Sequence, residues 1–229
     1  MKKIAQTFVI TTIFLMSPIS FAQFGGLGGL KDAIGGGDSN EGGNALELQL
    51  ELIAGLGIAS YSFTKATEKF ADALQLDALA REAKELGKKD PSKDESVIGI
   101  HLDFNNEALE QVNAKIAEGA ELSAEGKKDF AEGLLPYAAG MAAMVKMAKI
   151  APEFLKAAAD EIKSIKNPMQ IIKIKKQFDL GMKTGKKVPP TFKMLGDTTK
   201  TVFTFAKKNG ISTGAQEKQL KGAGVTTDF

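Results

Sequence analysis

Apolar positions recur at three- and four-residue spacing over most of this chain, the period of helices that bury one stripe. The first long stretch runs from Ala45 to Leu86, and Phe70, Ala73, Leu74, Ala80 and Ala83 continue its stripe. Its opening is in conflict with that period. Leu46, Leu48, Leu50 and Leu52 alternate with Glu47, Gln49 and Glu51, as a half-buried strand would. Leu, Glu and Gln are strong helix formers and no β-branched residue stands among them, so composition predicts a central helix apolar on two sides. Gly55 and Gly57 interrupt it, costing about 1 kcal/mol each and predicting a close crossing or a bend. Gly87 and Pro91 mark its end.

Ile98, Ile100, Leu102 and Phe104 alternate with Val97, Gly99, His101 and Asp103, the one strand-like run with β-branched content. No partner strand is evident. The expectation is an extended connector packed on the bundle, with Asn105 or Asn106 capping the next helix. Beyond it stand Gly119, Gly126, Gly133 and Gly140, each seven residues apart, and four residues after the last three come Phe130, Tyr137 and Met144. Seven-residue spacing holds positions on one helix face, so these glycine notches and bulky knobs predict a tight seam with a neighbouring helix. A break at Ser123 removes Gly119 alone from that face. Pro136 is expected to kink or break the helix.

Leu134–Val145 is twelve uncharged residues, too short to cross a bilayer, and Met141, Met144 and Met147 follow three apart. This reads as a buried bundle helix or as a groove for greasy ligands. Pro152 and Pro168 suit first helical positions, predicting helices over 152–166 and 168–184, with Asn167 as a cap. In the second, Ile171, Ile174, Phe178 and Met182 line one face. Lys173, Lys175, Lys176 and Lys183 surround them, the pattern of a basic amphipathic helix facing an anionic surface. Val188-Pro189-Pro190 is expected to turn the chain into a last helix reaching Asn209. After Gly210 a loose tail, 210–229, is expected.

Ahead of the helices, nine of the 22 residues from Gln23 to Asn44 are glycine, which predicts a flexible arm. Phe24, Leu27, Leu30 and Ile34 nevertheless keep helical spacing within it, suiting a membrane or a partner groove. Residues 1–22 read as a secretory leader: Lys2 and Lys3, an apolar run from Phe8 to Met16, and Ser20-Phe21-Ala22 at the cut. The expected product is a periplasmic or secreted chain beginning at Gln23. The division is therefore leader 1–22, arm 23–44, helical domain 45–209 and tail 210–229.

Charge sharpens this picture. Residues 23–132 carry 11 basic and 21 acidic side chains, whereas 133–229 carry 17 and 7. Either the halves lie against one another, or the basic half faces lipid head groups, lipopolysaccharide or an acidic protein. Nucleic acid is the weakest candidate and none is expected: the expected compartment is wrong, Arg81 is the sole arginine, and no aromatic residues interleave with the lysines. The chain has no cysteine, so neither disulfides nor thiol chemistry are available. A lone His101 cannot supply a two-histidine metal site. Glu107 with Glu110, and Glu68 with Asp72, are paired acids on helix faces, which read as solvated surface rather than acid–base machinery.

These features predict an all-α fold, an elongated bundle of five or six helices with a glycine-rich arm and a loose tail. They imply no cofactor and no enzymatic activity. The expected role is binding in the cell envelope, to an amphipathic or lipidic ligand, an anionic surface or a partner helix, with peripheral membrane contact. The alternative is a secreted helical protein that inserts into membranes, pore-forming in type, through the segments around 55–58 and 134–145. Which partner it takes and in what oligomeric state are not legible.

Overall fold

A computed structural model describes residues 43–226; the leader, the arm up to residue 42 and the last three residues lie outside them. The chain forms α1 (Gly43–Ala73), α2 (Asp77–Leu86), α3 (Ile98–Ala117), α4 (Ala124–Ser164), α5 (Pro168–Lys208) and α6 (Gly214–Gly222). Helix takes up 84% of the described residues, and no strand is found among them, so helix-on-helix packing alone must build the core. At 1.5 Å per residue, the 41-residue α4 and α5 are each about 60 Å long, which makes the bundle elongated.

α1 is the central rod, and its most extensive interface is with α4. The two run antiparallel: Gly126 lies by Ala73, Gly133 by Phe70, Gly140 by Ala59 and Phe63, and Met147 by Gly55. α5 folds back along α4, pairing Phe130 with Phe205 and Phe154 with Phe178. It therefore runs parallel to α1, and Gln49 Nε2 donates to the Gln177 carbonyl at 3.0 Å. α2 packs on α1, α3 lies between α1 and α5, and α6 closes against α4. The aromatic core of Phe63, Phe70, Phe130, Tyr137, Phe154, Phe178 and Phe203 is fully buried, each ring stabilising the fold by roughly 2–3 kcal/mol.

Several local expectations are corrected. The 97–104 run is helical, not an extended connector: Asp94 accepts from Ser96 N at 3.0 Å, a single 3-10 turn follows, and α3 begins at Ile98. The helical period then buries Ile98, Leu102, Asn105, Leu109 and Val112 and leaves Ile100 52% exposed. Asn105 is consequently no cap but an interior residue, donating to the Ser60 carbonyl at 2.7 Å. The first helix breaks after Ala73, where Gln75 takes a positive φ of 59° and turns the chain into α2.

The prolines behave least as expected. Pro136 and Pro152 lie inside α4, and Pro189 and Pro190 inside α5, without ending either helix. Each proline removes one backbone hydrogen bond. The neighbours Leu134, Tyr137 and Ala138, and likewise Val188 and Thr191, are buried in the core and hold the helical path through the missing bond. The tail is corrected as well. Gly210, at φ +75°, ends α5, and Ile211 N bonds back to the Ala206 carbonyl at 2.9 Å. The chain then forms α6, with Leu220 buried and Glu217 bonded to Lys207 at 3.0 Å.

The acidic and basic halves do pack together, chiefly through α1 on α4 and α3 on α5. Among the described residues two ion pairs cross between them, Lys146–Glu51 and Lys187–Asp103, each at 2.6 Å. Apolar packing, not charge, carries the association, since partly exposed pairs add only about 0.2–1 kcal/mol each.

Candidate functional site

The glycine face and the lysine face share the α4–α5 hairpin but meet different surroundings. Ser123 caps α4, its Oγ accepting from Gly126 N at 2.9 Å, so the helix starts after Gly119. Gly119, at φ +84° with nothing near its Cα hydrogens, ends the preceding helix and takes no part in the seam. The other three glycines lie against α1. A Cβ would come within 2.9 Å of the Ala73 carbonyl at Gly126, 2.7 Å of Phe70 at Gly133, and 3.1 Å of Phe63 at Gly140. Phe130 and Tyr137 lie against Phe70, with ring centroids 4.6 and 5.8 Å away, and Met144 is fully buried. The Tyr137 hydroxyl reaches the Leu195 carbonyl at 3.3 Å and Thr199 Oγ1 at 3.0 Å, and burial pushes its pKa well up. At the rim, Lys69 bridges Asp129 at 3.3 Å and Glu132 at 2.7 Å. Glu132 chiefly holds the ammonium above its ordinary range, and the carboxylate in turn is held below its own. This face is a packing device, already occupied by α1.

The lysine face divides. Phe178 is fully buried against Phe154, so it belongs to the core and not to an exposed surface, which corrects its place on an anionic-surface face. Met182 is half-buried against the core, and Lys183 is bonded to Asp179 at 2.6 Å. Toward the hairpin the covering ends. From Ala159 to Gln177 no residue is buried. Asn167 caps α5 by accepting from Met169 N at 2.9 Å, and Pro168 follows at the first helical position. The turn leaves Met169 74% and Ile172 51% exposed, while Ile171 and Ile174 are half-exposed.

Lys163, Lys166, Lys173, Lys175 and Lys176 ring this tip, all exposed, and none has an acidic partner within ion-pair distance among the described residues. Asp160 and Glu161 are the tip's acids, and partial burial pushes the Glu161 carboxyl up. The arrangement is an exposed apolar pair accompanied by five exposed lysines at one end of the bundle. Sequence spacing had pointed to Ile171, Ile174, Phe178 and Met182. The exposed apolar pair is instead Met169 and Ile172, on the opposite side of the helix from the stripe that enters the core.

A second polar group lies inside the bundle. His101 is 0% exposed, its Nε2 2.8 Å from the Lys89 carbonyl and its Nδ1 2.8 Å from Thr64 Oγ1. A carbonyl only accepts, so Nε2 carries the proton and Thr64 donates to Nδ1. Burial is the main force pushing the imidazole's pKa down, helped by the Lys89 and Lys65 charges and opposed by the Lys89 carbonyl bond and Asp90. Its bonds fasten the loop after α2 to α1. Between α3 and α5, Asn106 donates to Thr191 at 3.1 Å and Asn113 to Thr198 at 2.8 Å, two rungs of a parallel polar seam. Among the described residues no three His, Asp or Glu side chains are grouped to hold a metal ion. Compared with known proteins, the chain matches no family, no curated relative and no solved structure.

Proposed function

We propose that this is an exported, non-enzymatic helical-bundle protein of the cell envelope that binds an anionic lipid surface peripherally through the α4–α5 tip. The observation that carries the reading is the pairing of an exposed apolar cap, Met169 and Ile172, with five unpaired lysines at the end of two long rods. Apolar side chains this exposed suit a surface better than a cleft-bound small molecule, which is enclosed on most sides. Each lysine near an anionic membrane contributes about 1 kcal/mol, and burying the two apolar side chains adds to this. Flotation with vesicles of phosphatidylglycerol and phosphatidylcholine tests it. Binding to the anionic mixture, absent with phosphatidylcholine alone and weakened by salt, is the expected result. Equal binding to both, or to neither, overturns the reading.

One observation favours a second reading. Among the described residues α4 alone is long and apolar enough to cross a membrane, with more than half of that window buried in the bundle. A buried core helix passes the same test, so insertion requires α4 to leave α1. Release of a trapped dye from the same vesicles is the outcome that favours insertion over surface contact.

A further inference from the structure

We infer that residues 24–34 of this same chain cover the bare side of the α4–α5 tip when no lipid is present. The tip has no buried residue over 159–177, yet it carries the most exposed apolar side chain of the described residues, Met169. Exposed apolar side chains grouped in this way mark interaction surfaces.

Three features select the arm as occupant. The first is where it joins the bundle. α1 runs parallel to α5, with Gln49 bonded to Gln177 and Leu52 against Gly185. Carrying those two registers back to Gly43 places the start of α1 opposite residues 171–176, beside the tip. The second is reach and pattern. The 19 residues from Phe24 to Gly42 span up to roughly 60 Å when extended, several times the tip's length, and Phe24, Leu27, Leu30 and Ile34 keep the spacing of one apolar face. The third is charge. Residues 24–34 are balanced, Asp32 against Lys31, and the stretch that joins them to α1 adds Asp38 and Glu41, so the arm as a whole is acidic, while the tip holds its five lysines against Asp160 and Glu161. The arm's glycines make ordering it costly, so the docking is weak and reversible, as a displaceable cover must be. That lipid competes for the same surface rests on the function proposed above; the docking itself does not.

The cysteine-free chain makes a direct test possible. In the chain starting at Gln23, Met169→Cys is labelled with an uncharged maleimide, once with the arm intact and once with Phe24, Leu27, Leu30 and Ile34 all changed to Ser. Thr204→Cys, exposed near the far end of α5, serves as the control. An arm docked two-thirds of the time slows labelling about threefold, so the serine arm is expected to label about threefold faster at position 169 and equally at 204. Equal rates at 169 overturn the inference. So does protection that survives the serine arm and grows with protein concentration, which makes a second copy the cover. With phosphatidylglycerol vesicles the serine-arm chain is expected to bind about threefold more tightly. Weaker binding overturns the cover, because the arm then engages lipid itself. If the arm protects position 169 while neither chain binds vesicles, the lipid reading fails and the docking stands.

Discussion

The two ends of α4 receive opposite treatment. Between Gly126 and Ala158 the helix is notched with glycine and studded with Phe130, Tyr137 and Met144, and α1 fills every notch. Beyond Ala158 the same helix has no buried residue and leaves Lys163 exposed to solvent. The second stretch carries one large apolar residue, Ile162, which is only half-buried. Among the described residues α1 packs along the first stretch only. A helix face is thus core or contact surface according to its neighbour, and within α4 glycine stands only where a neighbour comes close.

The largest effect expected from attacking the buried end is Tyr137→Ala, which empties the centre of the aromatic cluster and is expected to cost about 3–5 kcal/mol in urea unfolding. Tyr137→Phe keeps the ring and loses the bonds to Leu195 and Thr199, for about 1 kcal/mol. A loss for Tyr137→Ala within that smaller range would mean that the cluster is not under tight packing.

Next comes the comparison of glycines. Gly133→Val drives a side chain into Phe70 and is expected to destabilise by about 1–3 kcal/mol. Gly196→Ala, in the middle of α5 with open space around it, is expected to stabilise by roughly 0.4–1 kcal/mol. The same sign for both would break the distinction between seam and surface.

The buried histidine adds a pH dependence. Burial holds the folded pKa of His101 below its ordinary value of 6.5, so the unfolded chain binds the proton more readily. Its contribution to stability is full above that value. The contribution falls as pH drops through 6.5 toward the lowered folded value, with a slope of at most about 1.4 kcal/mol per pH unit. Comparing urea midpoints of the protein and His101→Gln from pH 5 to 8 isolates this slope, since the carboxylates are common to both. Parallel curves would remove His101 as its source.

The smallest effect on the fold is expected at the bare end. Met169→Ser with Ile172→Ser is expected to leave unfolding stability within about 0.5 kcal/mol while weakening binding to phosphatidylglycerol vesicles. A large loss of stability instead would place these residues in the core.

The sequence carried the helical build, the rough positions of α1, α4 and α5, and the spacing of Gly126, Gly133 and Gly140, because those features repeat within single helices. Boundaries were legible where a cap or a glycine acts locally, as at Ser123, Asn167 and Gly210. They were misread where packing outweighs local preference. Ile98 to Phe104 alternate like a strand, yet α1 supplies Ser60 and Thr64 to receive Asn105 and His101 at helical spacing. Pro136 argues for a kink or a break, Pro152 for a helix start and Pro189-Pro190 for a turn, yet all four lie within continuous helices among buried neighbours. The polar rungs Asn106–Thr191 and Asn113–Thr198 left no signal, since nothing in a single helix announces which distant threonine will lie opposite.

By itself the sequence determined that this chain is an all-helical bundle without disulfides, with an excess of basic residues in its second half. Those are properties of composition and short-range period, which fix the backbone hydrogen bonds within each rod. Only the tertiary structure decided which faces are spent on the core. Phe178 is buried because Phe154 meets it, whereas Met169 and Ile172 fall on the side of α5 turned away from the core stripe. Side-chain exposure depends on contacts between segments far apart in the chain, and no local pattern encodes where a neighbouring helix starts.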